Sequence, residues 1–122
     1  MSQLQSVIDE MLPMITDFLG NLGLAENGVI NYEESVTPFS EWISTQEVTQ
    51  NDFAYLVSRI AAFYCYYYVE KCDAEISSKN NTIELTIPLG NEAEQSVDPY
   101  FFAVAVANKQ MTLEQAIAAN VC

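Results

Sequence analysis

The sequence predicts an α+β fold: a mainly helical single domain over residues 1–122, with four or five helices and one antiparallel β-hairpin packed on a long central helix. Three observations carry this. Apolar residues recur at the helical period through Leu4 to Leu22 and again through Phe53 to Tyr68, and the period switches to strict alternation over Ile83 to Ile87. Half of the 122 residues are hydrophobic and mean hydropathy is +0.07, so the chain can build a core without disulfides or metal.

In the first helix the apolar positions are 4, 8, 11, 15, 18 and 22, with 7, 12, 14 and 19 beside them, while Asp9, Glu10 and Asp17 fall opposite. Pro13 also lies on the polar side, where its missing N–H bends one helix or separates two in line. Gly20, Gly23 and Asn27-Gly28 break the chain and turn it. Residues 33–45 place Val36, Phe39, Trp42 and Ile43 at helical spacing, with Pro38 acceptable only in a first turn. Thr49 and Asp52 approximate a capping box. Behind them Phe53, Leu56, Val57, Ile60, Phe63, Tyr64, Tyr67 and Tyr68 line one face of a helix reaching about Glu70.

Ala74 and Ile76 begin an alternation, residues 77–81 read as a turn, and Ile83, Leu85 and Ile87 alternate with Thr82, Glu84 and Thr86, closing at Pro88 and Gly90. The stretch from Asn91 to Val97 reads as a polar, acidic loop. Asp98-Pro99 is a helix start, with Asp as N-cap and Pro at the first helical position, and favours a helix over a strand for residues 100–107. Thr112 and Gln115 cap a last short helix through Ala119.

The charge bounds the function. Seventeen acids face four bases, giving −13, and nine of those acids precede Arg59, the first base. Phosphate binding needs cations to displace counterions, so neither nucleic acid nor an anionic membrane surface is an expected partner. The aromatic run Phe63-Tyr64-Cys65-Tyr66-Tyr67-Tyr68 lacks the positive surround that base stacking requires and reads mostly as core. The first residues show no secretory signal, and no apolar run reaches membrane-spanning length. Cys65, Cys72 and Cys122 form no paired framework, with Cys65 as a small core residue and Cys122 as a terminal thiol. A cytoplasmic location is therefore expected. Asn80-Asn81-Thr82 fits a glycosylation acceptor but reads as part of the turn.

Histidine is absent, which removes Ser-His-Asp and Cys-His catalysis, and the cysteine spacing suits no zinc clamp. No glycine pattern builds a phosphate loop and no window meets the calcium-loop spacing, so the expectation is no enzyme, cofactor or metal. The sharper feature is a stripe of Tyr55, Arg59, Ala62 and Tyr66, within about 60° of one another on the central helix and opposite its apolar face. Two tyrosines flanking an arginine have the composition of a protein-binding hot spot. The competing reading buries the stripe under the hairpin or the helix from Pro99, with Arg59 paired to Asp52 or Glu70.

Short, acidic, cysteine-poor and without catalytic residues, the chain resembles bacterial immunity proteins and phage-encoded inhibitors, a resemblance of composition and not of motif. It implies a protein partner of basic charge, met by a monomer or homodimer. In size and charge it also resembles small acidic export chaperones, which hold an extended client as dimers. A structural subunit, or an enzyme that is either a hydrolase using two converging carboxylates or a cation-dependent site, completes the set of expectations.

Overall fold

A computed structural model describes residues 3–47, 49–79 and 82–119. Helix α1 (Gln3–Asn21) is continuous through Pro13, which is exposed, as are Asp9, Glu10 and Asp17. Met11, Ile15, Phe18 and Leu19 are buried, whereas the flanking Val7 and Leu12 remain exposed. Asn27 and Gly28 both take positive φ, 54° and 76°, the backbone that a two-residue hairpin turn requires, and they join β1 (Ala25–Glu26) to β2 (Val29–Ile30).

Helix α2 (Tyr32–Thr45) begins at an Asn31 cap whose side chain accepts the Glu34 amide. It starts early enough to place Pro38 beyond the first turn, contrary to the sequence expectation. Pro38 and Glu34 are both exposed, so the Glu34 carbonyl that loses its helical partner lies on the solvent side. At its other end the ammonium of Lys109 donates to the carbonyls of Ser44 and Gln46, at 3.3 and 2.9 Å, tying down the groups a helix end leaves free.

Helix α3 (Gln50–Cys72) is the centre of the fold, buried on several faces by α1, α2, α4 (Pro99–Ala107) and the sheet. The Thr49 hydroxyl donates to the Asp52 carboxylate at 2.8 Å instead of closing a capping box on the backbone. Asp73, in the left-handed region at φ 58°, ends the helix.

The sheet has three antiparallel strands in the order β3 (Glu75–Lys79), β4 (Thr82–Gly90), β5 (Ala93–Val97). Ser77 and Ser78, expected in a turn, pair with Glu84 and Ile83, and Asn80 and Asn81 lie outside the described residues. The expected loop after Asn91 is instead β5, which pairs along the free edge of β4 after a turn in which Asn91 and Glu92 both take positive φ. Ile83, Leu85 and Ile87 turn inward, as the alternation predicts.

Asp98 caps α4 through the amides of Tyr100 and Phe101, and Thr112 with Gln115 forms a complete capping box on α5 (Leu113–Ala118). The Tyr68 hydroxyl donates to the Ile117 carbonyl and locks α5 against α3. The α+β class, mainly helical with an antiparallel sheet, is the one the sequence predicts, although the sheet gains a third strand and a second small hairpin precedes α2. Cys65 is free and buried, but Cys72 is disulfide-bonded, which corrects the expectation of unpaired thiols. Cys122 lies outside the described residues.

Candidate functional site

The predicted stripe on α3 divides in two. Tyr55 is 50% exposed, Arg59 and Tyr66 are half-buried, and Ala62 is completely buried. The cover is α1, not the hairpin or α4: Phe18 meets Tyr55 edge-on at 6.1 Å, and Asp9 lies within electrostatic reach of Tyr66, so α1 runs antiparallel along this side of α3. Burial, and after it the neighbouring Cys65 and Asp9, raises the Tyr66 phenol above its ordinary value. Ala62 therefore offers no surface to a partner, and the stripe is reduced to its Tyr55 end.

At that end the helical i, i+4 spacing sets the Arg59 guanidinium over the Tyr55 ring, 3.6 Å from its centroid. Nη1 of Arg59 donates to the Ser58 hydroxyl at 2.9 Å, which donates in turn to the Tyr55 carbonyl at 2.7 Å. Arg59 is thus held by its own helix, not by the Asp52 or Glu70 carboxylate expected of it.

Phe18 connects three helices. It packs edge-on against Trp42 of α2 at 5.3 Å and tilted against Phe39 at 5.9 Å, besides its contact with Tyr55. Where the ends of α1 and α2 meet the start of α3, these rings leave a groove of about 240 Å³, lined by Phe18, Trp42, Tyr55 and Leu56 with Gln46, Glu47 and Asp52. Both acids are exposed. Aromatic surface beneath carboxylates suits a cation with an apolar stem. Sequence reading placed Phe18 and Trp42 in the core and Asp52 in a cap, because residues from three helices share no spacing that could announce a common site.

Elsewhere every Asp and Glu except the half-buried Glu84 is exposed. Among the described residues no group of three or more Cys, Asp or Glu could hold a metal. Burial, then the charge of Asp98, pushes the Cys65 thiol far above its usual range, which keeps it from acting as a thiolate nucleophile. The Tyr32 phenol is raised as well, by burial first and then by Glu70 and Tyr66, and its buried hydroxyl has no hydrogen-bond partner among the described residues. No helix among the described residues is long and apolar enough to cross a membrane. Comparison with protein-family models, curated proteins and solved structures finds no match for this chain.

Proposed function

We propose that this chain is a non-catalytic protein that binds a basic protein partner, in the manner of an immunity protein or inhibitor. One observation supports the reading: the acids face solvent while three of the four bases, Arg59, Lys71 and Lys109, are engaged by groups of the chain itself. Arg59 stacks on Tyr55, Lys109 closes the end of α2, and Lys71 lies 3.5 Å from the Glu33 carboxylate and donates to the Tyr67 hydroxyl, 3.0 Å away. A field left uncompensated in this way accelerates encounter with a positive surface and repels a negative one. Tyr55, with its large contact area and polar tip, supplies affinity once the partner has arrived. The disulfide at Cys72 does not point to a reducing compartment.

The test is affinity capture from the source cell with the intact chain, at low and high salt, beside a variant with Asp9, Glu10, Asp17, Glu33 and Glu34 changed to their amides. A basic protein retained at low salt, released at high salt and lost with the variant is the expected result. A partner indifferent to both changes contradicts the reading.

A second reading, the dimeric export chaperone, has one observation in its favour. Phe101 and Val104, one turn apart on α4, are 68% and 39% exposed. Sedimentation showing a stable dimer that Phe101→Ser dissociates supports it, and a strict monomer removes it.

A further inference from the structure

We propose that the groove between Trp42 and Tyr55 is the anchor site for a single basic side chain, lysine or arginine, of the protein partner. The inference rests on the binding function proposed above and specifies its central contact. Size argues first: about 240 Å³ lies below the roughly 300–1,000 Å³ of sites that enclose small-molecule ligands, and suits one long side chain. Chemistry argues second. Phe18, Trp42, Tyr55 and Leu56 give apolar and aromatic wall for a methylene stem, and Glu47 and Asp52 give negative charge for its head.

Two further features make the site more than an acidic patch. Tyr55 already carries the Arg59 guanidinium on its ring, so this wall is one that the chain itself uses for a cation, and Arg59 is not among the residues lining the groove. By contrast, the larger depression beside the β1–β2 hairpin, about 570 Å³, also has two acids, Glu26 and Glu34, but no aromatic wall, so it could offer charge without a seat for the stem. Charge complementarity selects the occupant: with −13 overall and no base in the lining, an anionic or neutral side chain gains nothing here that a cation does not exceed.

Trp42 is the chain's only tryptophan, so its fluorescence reports on the groove alone. The full chain is titrated with N-acetyl-lysine methylamide and N-acetyl-arginine methylamide, with the uncharged N-acetyl-norleucine methylamide and tetramethylammonium as comparators. Saturable change with at least one basic amide, and none with norleucine, is expected. Glu47→Gln with Asp52→Asn should weaken that binding about fivefold or more, since each removes a charge near the head group. Glu92→Gln with Glu94→Gln, the same loss of charge on the sheet, should leave it unchanged. Equal response to norleucine, no saturable response to either basic amide, or response to tetramethylammonium alone overturns the proposal. None of these readouts needs the partner, so the groove can fail while the binding function stands. Equally, a cell without a basic partner would end the function reading and leave the groove's cation affinity as measured.

Discussion

The two ends of α3 are built from the same kinds of residue and meet opposite fates. Near its start Tyr55 is half in water and its ring serves an arginine, whereas toward its end Phe63, Tyr64 and Tyr68 are buried to within 1%. Around Phe63 stand Tyr32 and Phe39 of α2, at 5.2 and 5.1 Å, and Phe102 of α4 stacks on Tyr64 at 5.3 Å. Around Tyr55 stand the edge of Phe18, the Arg59 guanidinium of its own helix and the open groove. Aromatic content alone does not separate core from contact surface. The number of elements that converge on a helical turn does, and the end of α3 with fewer neighbours is the one whose aromatic ring stays accessible to solvent.

The contrast can be broken by substitution. Phe63→Ala should cost about 3–5 kcal/mol in urea denaturation, because its packed neighbours cannot collapse into the space it leaves. Tyr68→Phe should cost about 1–2 kcal/mol by removing the buried hydrogen bond from its hydroxyl to the Ile117 carbonyl. The same residue carries a pH prediction. Burial, then Tyr67, holds its phenol up at about 12, partly offset by a bond from Tyr64, while an unfolded tyrosine ionises near 10. The folded state thus keeps a proton that the unfolded state loses. Its stabilising contribution is whole below about pH 10 and disappears as pH rises from there toward 12, a fall visible in alkaline circular dichroism and reduced in Tyr68→Phe.

Smaller effects sharpen the comparison. Tyr32→Phe should leave stability within about 1 kcal/mol or raise it, since the buried hydroxyl it removes has no hydrogen-bond partner among the described residues; a larger loss of stability would mean that this hydroxyl is satisfied. Tyr55→Ala should cost less than about 1 kcal/mol, within the range of ordinary surface changes. If it destabilised the fold as much as Phe63→Ala, the distinction between the two ends would collapse.

Local signals were the legible ones. Asp98-Pro99 and the Thr112–Gln115 box announce α4 and α5 because a cap is made by residues within one turn of each other, and the alternation at Ile83, Leu85 and Ile87 announces β4 for the same reason. Strand β5 is not announced: of Ala93-Glu94-Gln95-Ser96-Val97 only Val97 is buried, and the segment is held extended by the edge of β4, which no property of its own residues discloses. The site shows the same division. Tyr55 and Arg59 were visible through helical spacing, but the burial of Ala62 depends on where α1 lies, and the groove on three helices meeting at Phe18.

The most direct test of a contact surface at the open end of α3 is the affinity of the captured partner for the intact chain and for Tyr55→Ala, measured by titration calorimetry across a salt series. Affinity that falls as salt rises, and that drops about tenfold or more with Tyr55→Ala while the fold is retained, is the predicted result. Affinity unchanged by Tyr55→Ala, or constant across the salt series, would contradict it.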